Sequence, residues 1–97
     1  MNKPTTTAGV LPEDVTGLLA AVVEALDVPV PSIDPADERA YHRLLEHRTA
    51  DVRIALASIL KFPEAGISRD AEYIRARTAA VPVTYTPFEP DRDGGAA

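Results

Sequence analysis

The chain has 97 residues, a net charge of −5 and 45% hydrophobic residues. This length suits one domain with a modest core, and the acidic balance disfavours broad electrostatic binding to nucleic acid or anionic membranes. The absence of cysteine excludes disulfides, thiolate metal sites and a cysteine nucleophile. No apolar run has the length of a membrane span, and the N-terminal residues lack the apolar stretch of a signal peptide, so a cytoplasmic location is expected.

Periodicity divides the chain into a flexible arm, one helical domain and a disordered tail. Residues 1–10 are polar and aperiodic, which predicts the arm. Residues 11–90 hold every apolar periodic segment and form the predicted single helical domain. Residues 91–97 have the composition of a disordered tail.

The first helix is predicted over about residues 12–27. Pro12 suits the first helical position, and Glu13 and Asp14 favour the positive end of the helix dipole. The apolar residues recur at i, i+3, i+4 and i+7, so they cover an arc of about 140° and predict the wide face of a core helix. These residues are Val15, Leu18, Leu19, Val22, Val23 and Leu26.

The central helix, predicted over residues 35–61, is the longest periodic segment. Asp34 can cap its free N–H groups, Pro35 occupies the position where a helix tolerates proline best, and Phe62 before Pro63 ends it. The apolar side chains span about 160° of the helical wheel, a width that suits two packing neighbours. They are Tyr41, Leu44, Leu45, Val52, Ala55, Leu56, Ile59, Leu60 and Phe62.

The remaining segments predict a short third helix and an extended C-terminal arm. Ser68 can cap a helix over about residues 69–80. Residues 81–90 alternate apolar residues with polar residues or proline, which is typical of an extended segment, but no other stretch has the pattern of a strand with which it could pair. The arm residues expected to be buried against helices, either of the same chain or of a neighbouring chain, are Val83, Tyr85 and Phe88.

The predicted fold is all-α, with the first two helices forming an antiparallel pair and the third lying across one end. The first helix covers little more than half of the central one, so part of the central apolar face needs another cover. A second copy of the chain is the simplest cover, because contiguous apolar patches are unusual on soluble monomers. We therefore expect a homodimer, and the alternative is a monomer whose C-terminal arm fills the gap. The candidate interface residues are Leu44, Ala55, Phe62 and Arg48.

Two residues interrupt the pattern of the central helix. Arg48 lies within the apolar arc, where an arginine either extends to solvent, pairs with a carboxylate such as Asp14 or Glu24, or faces a subunit interface. Ile54 lies on the opposite, polar face and marks a second candidate surface.

The residues that carry chemistry favour a non-enzymatic protein. Glu38, His42 and Glu46 recur every four residues, but together with His47 they match neither the spacing of di-iron bundles nor that of zinc proteases. There is no glycine-rich phosphate loop and no serine in a nucleophile elbow. We therefore predict no catalytic residue, no metal site and no cofactor.

A DNA-associated regulatory role is the alternative to a protein–protein interaction module. Arg39, Arg43 and Arg53 form an outer basic stripe on the central helix. Glu46 interrupts this stripe, and no glycine-containing turn precedes a recognition helix. The primary prediction is therefore a protein partner, either a second copy or another protein, with nucleic acid as the alternative and no membrane partner.

A group of small uncharacterised all-helical proteins from actinobacteria resembles this chain over about residues 11–88. The resemblance lies in the run LPEDVTGLLAAVVEALDVPVPSIDPADERAYHRLLEHRTADVRIALASIL and the later AVPVTYTPF. Frequent alanine, and arginine in preference to lysine, fit a GC-rich genome. The resemblance implies a cytoplasmic accessory protein of a mobile element or regulatory locus, and it assigns no functional residue.

Overall fold

The computed structural model describes residues 10–89. It contains α1 (Glu13–Leu26), α2 (Pro35–Lys61) and α3 (Ile67–Ala80), with a single 3-10 turn at Pro63–Ala65. Three α-helices and no strand occur in this range, which confirms the predicted all-α fold. Apart from residue 10, the predicted flexible arm lies outside it, as does the predicted tail. Within the described range, no helix combines the length and the apolar character that crossing a membrane requires.

Local chemistry sets both ends of α2, as predicted. The Asp34 side chain accepts a hydrogen bond from the backbone N–H of Ala36 at 2.8 Å, and Pro35 is the first helical residue. At the other end, Phe62 leaves the helical conformation directly before Pro63. The helix is therefore 27 residues long, which corresponds to about 40 Å.

The start of α3 differs from the prediction because the chain turns at Gly66. Gly66 has a φ of 99°, a left-handed conformation that residues with a side chain rarely adopt, and it occupies the N-cap position. The helix then begins at Ile67, so Ser68 lies inside its first turn, and no side chain caps this end. The prediction that Ser68 caps the third helix is wrong.

The third helix packs against both of the others, and its contact with α1 is the most extensive. The first turns of α1 and α3 line one cleft and their C-terminal ends both reach Arg48, so these two helices run parallel. Asp51 pairs with Arg77 while Ser58 and Asp70 line one pocket, so α2 runs antiparallel to α3. The first two helices are thus antiparallel, as predicted, but they contact each other least. The third helix lies along both instead of across one end, so that part of the prediction is wrong.

The core where the three helices meet is narrow and rich in alanine. Small side chains let the helix backbones approach closely, and Ile74 of α3 is the one large side chain that is fully buried among the described residues. Many larger apolar side chains consequently remain at the surface. The core residues are Leu18, Ala21, Ala25, Val52, Ala55, Ala71 and Ile74.

The C-terminal segment after α3 pairs with the linker between α1 and α2. Pro31 and Pro87 form an isolated antiparallel bridge. Proline has no N–H to donate, so the hydrogen bonds come from the next residues: Ser32 N–H donates to Thr86 at 2.9 Å, and Phe88 N–H donates to Val30 at 2.8 Å. No strand or sheet forms in the described range, in agreement with the sequence pattern, but the proline-rich linker pairs with this segment through the isolated bridge.

Tyr85 anchors this segment. Only 7% of Tyr85 is exposed, its hydroxyl donates a hydrogen bond to the Pro29 carbonyl, and its ring lies edge-on to Tyr41 with centroids 6.1 Å apart. Val83 and Phe88 are exposed. Of the three arm residues, Tyr85 is buried within its own chain as predicted, whereas burial of Val83 and Phe88 against a neighbouring chain stays a prediction.

Candidate functional site

Arg48 joins the C-terminal ends of α1 and α3. Its Nη1 donates to the Ala25 carbonyl at 2.8 Å, and its Nη2 and Nε donate to the Val81 carbonyl at 2.9 and 3.3 Å. Only 4% of the residue is exposed. Both acceptors lie at the negative ends of helix dipoles, so two helix termini compensate the guanidinium charge. The acceptors are backbone carbonyls instead of Asp14 or Glu24, and burial also excludes the solvent-extended arrangement.

Three of the four candidate interface residues are buried within their own chain. Leu44, Arg48 and Ala55 are covered, and Ala55 belongs to the core beside Ile74. Their burial leaves these three residues little surface for a subunit interface, so this part of the prediction is wrong; Ala55, for example, packs with Ile74 of α3. Phe62 is 53% exposed and remains a candidate contact.

An exposed apolar surface lies along α1 and α2. We call it the α1–α2 face and define it by exposed residues of both helices. It persists because the first two helices contact each other least, so each leaves part of its apolar stripe uncovered. Its members are Leu19, Val23 and Leu26 of α1, and Leu56 and Leu60 of α2.

Two depressions give this face its shape. A groove of about 410 Å³ runs between the helices and is lined by Leu26, Val52, Leu56 and Leu60. A second depression of about 490 Å³ lies on α1. Val23 of the second depression lies one helical turn before Leu26 of the groove, so the two depressions are neighbours along α1. Leu60, at 84% exposed, is the most open member of the face.

The two edges of the α1–α2 face carry opposite charge. Glu24 and Asp27 line the depression on the α1 side, and α1 contains no basic residue. Arg53 lines the groove on the α2 side. All three are exposed. The apolar surface is therefore bordered by acid on one helix and by base on the other.

The predicted basic stripe is accessible along α2. Arg39, Arg43 and Arg53 are all exposed, and they extend over about 21 Å of the helix axis. Glu46 is exposed between them in sequence. Of the three arginines, only Arg53 lines the apolar groove.

Of the three residues Glu38, His42 and Glu46 that recur every four positions on α2, the first two form a pair at the surface. His42 Nε2 lies 3.8 Å from Glu38 Oε2, and both side chains are well exposed. Within residues 10–89, no group of three or more His, Cys, Asp or Glu side chains is arranged to hold a metal ion. These residues therefore form part of the exposed polar surface of the helix.

Two buried carboxylates between α2 and α3 were not foreseen from the sequence. Asp51 and Asp70 are both nearly inaccessible. A signal existed, because Asp70 follows Ile67 by three residues and precedes Ile74 by four, which places all three on one face of the helix. Asp70 also lines a small pocket that has exposed Ile54 at its rim.

Comparison of the chain with protein-family models, with curated proteins and with solved structures finds no match. The resemblance to actinobacterial proteins therefore stays a prediction.

Proposed function

We propose that this protein is a small non-enzymatic interaction module that forms a homodimer through the α1–α2 face. The observation that carries the proposal is the pair of neighbouring apolar depressions on that face. Contiguous apolar surface of this kind marks protein contacts in soluble proteins. Burying one leucine fully contributes about 1.5–3 kcal/mol, so a few such side chains suffice for association. The cytoplasmic location expected from the composition is part of this proposal.

Charge complementarity favours a second copy as the occupant. In a twofold dimer the same patch meets itself, and α1 of one copy packs either on α1 or on α2 of the other. Pairing α1 with α1 would bring the acidic edges at Glu24 and Asp27 together. Pairing α1 with α2 of the partner sets these acids against the edge that carries Arg53. In this arrangement the charges at the edges of the face complement each other.

Light scattering over a dilution series tests the homodimer. The expected mass is twice the 10.4 kDa of the chain at high concentration, and it falls toward 10.4 kDa on dilution. A mass of 10.4 kDa at every concentration would contradict the proposal.

The second candidate function is a DNA-associated regulatory role, which the exposure of Arg39, Arg43 and Arg53 favours. In this proposal the three arginines contact phosphates, so the affinity for duplex DNA falls steeply as salt rises. Binding is measured at two salt concentrations with the chain and with a variant in which all three arginines are glutamine. Absence of binding at low salt removes this candidate.

A further inference from the structure

Asp70 is a buried carboxylate without a partner. It is 7% exposed, and the described part of the chain offers it neither a side-chain hydrogen bond nor an ion pair. A buried charge is unfavourable unless another group compensates it. The position therefore calls for a cation that residues 10–89 do not supply.

Asp51, on the same seam between α2 and α3, provides the contrast. It is as buried as Asp70, yet its Oδ2 accepts from Arg77 Nε at 3.3 Å. Among the described residues, the guanidinium of Arg77 pairs with Asp51, and no side chain pairs with Asp70. The missing partner of Asp70 has the same chemistry as the group that Asp51 already holds.

The pocket in front of Asp70 has the size and lining for one long basic side chain. Its volume is about 280 Å³, below the range of sites for drug-sized ligands, so it suits a single side chain. Ile54 and Tyr73 line it and are partly exposed, while Ser58 adds a hydroxyl. An aliphatic stem can pack on Ile54, and the ring of Tyr73 can stack with a planar cation.

Arg69 directly precedes Asp70 in the sequence, but its side chain does not neutralise the carboxylate. It lines the same pocket and is exposed, but it forms no ion pair with Asp70 in the described structure. Its charge opposes the entry of another cation. Removal of that charge should therefore strengthen cation binding.

We propose that this pocket binds an arginine side chain presented by a protein partner. Both oxygens of Asp70 are free to accept the two parallel hydrogen bonds of a guanidinium, which a lysine ammonium does not match. The net charge of −5 favours the approach of a basic partner. The site lies between α2 and α3, so it is separate from the α1–α2 face and does not depend on the homodimer.

Titrations followed by amide chemical shifts of isotopically labelled protein test the proposal. The probes are N-acetyl-arginine amide, the neutral isostere N-acetyl-citrulline amide, a short arginine-containing peptide and spermidine. We expect saturable shifts at Ile54 and Tyr73 with the arginine probes and none with citrulline. Asp70→Asn should weaken arginine binding about tenfold or more, since it removes the charge and one acceptor.

Two further variants make the test specific. Arg69→Gln should strengthen binding, whereas Glu72→Gln should leave it unchanged, because Glu72 is exposed on the same helix and does not line the pocket. If Asp70→Asn fails to fold, the comparison of the arginine and citrulline probes and the affinity of Arg69→Gln still test the proposal. Four results would each overturn the proposal. They are equal shifts with the citrulline probe, full arginine affinity in Asp70→Asn, weaker arginine binding in Arg69→Gln, and tighter binding of spermidine than of the peptide.

Discussion

The guanidinium of Arg48 donates two hydrogen bonds to the carbonyl of Val81, at the end of a helix that begins almost twenty residues after the arginine. A third hydrogen bond reaches Ala25, at the end of α1. One side chain of α2 thus satisfies carbonyl groups at both helix ends that have no intrahelical partner. It thereby fixes how α1 and α3 end relative to the middle of α2.

Replacing Arg48 with methionine should lower the free energy of unfolding by about 2–4 kcal/mol. The change keeps much of the apolar stem but leaves the buried Ala25 carbonyl and the part-buried Val81 carbonyl without this donor. Arg48→Lys should lose less, because an ammonium keeps the charge near both helix ends. Urea denaturation measures the loss, and Arg43→Met is the matched control at an exposed position outside the α1–α2 face, with an expected change within about 0.5 kcal/mol. Equal losses in both methionine variants would contradict the capping role.

Alkaline pH should destabilise the protein through Tyr85. Burial raises the pKa of the Tyr85 hydroxyl above its ordinary value of 10.0, nearby Tyr41 raises it further, and Arg48 acts in the opposite direction. The folded protein therefore holds this proton more tightly than the unfolded chain. The resulting stability is fully present below the unfolded pKa of 10.0 and is lost as the pH rises through the folded pKa.

Tyr85→Phe isolates this contribution. At neutral pH it should cost about 1 kcal/mol, because the hydrogen bond to Pro29 is lost. Thermal denaturation from about pH 8 to about pH 11 should then show a shallower alkaline decline than in the parent chain. An identical decline in both would show that another group is responsible.

The two described glycines should respond to alanine in opposite directions. Gly17 lies inside α1, and a Cβ there would meet Arg75 Nη2 at 3.7 Å, an ordinary contact, so Gly17→Ala should raise stability by about 0.5–1 kcal/mol. Gly66 has open space but a φ of 99°, so Gly66→Ala should cost about 1–3 kcal/mol through backbone strain. Denaturation curves measure both, and a gain at Gly66 would contradict the left-handed turn.

Leu60→Glu should weaken the proposed homodimer by at least about tenfold. The substitution removes apolar area from the α1–α2 face and places a charge in the proposed dimer interface. The fold of one chain should persist, because Leu60 is already exposed. Ile54→Glu is the control, since Ile54 is an exposed apolar residue outside this face. Light scattering that finds both variants equally dimeric, or both monomeric, would place the interface elsewhere.

Truncation after Ala80 should lower the melting temperature markedly. It removes buried Tyr85, the pairing with the linker, and the Val81 carbonyl that accepts from Arg48. Each kcal/mol lost corresponds to about 4–8 °C in a domain of this size. A chain ending at Glu89 retains these contacts and serves as the control. An unchanged melting curve after Ala80 would show that the segment contributes nothing to stability.

The sequence by itself determined the features that depend on near neighbours in the chain. Asp34, Pro35 and the Phe62–Pro63 pair set the ends of α2 through contacts with residues a few positions away, so the bounds of that helix were predicted correctly. The apolar periodicity likewise indicated that the central helix needs two packing neighbours. The start of α3 was predicted wrongly because the turn before it depends on the positive φ of Gly66. A glycine can adopt a positive φ but does not have to, so the sequence alone does not reveal this turn.

Only the tertiary structure decided which surfaces and acceptors those elements meet. Arg48 reaches Ala25 and Val81, 23 and 33 residues away, and Tyr85 reaches Pro29 across 56 residues. Periodicity gives the width of an apolar face but not the partner that covers it, so α3 took the place expected for a second chain at Ala55. The unpaired Asp70 depends on the same seam, because a carboxylate is buried or exposed according to which helix lies against it.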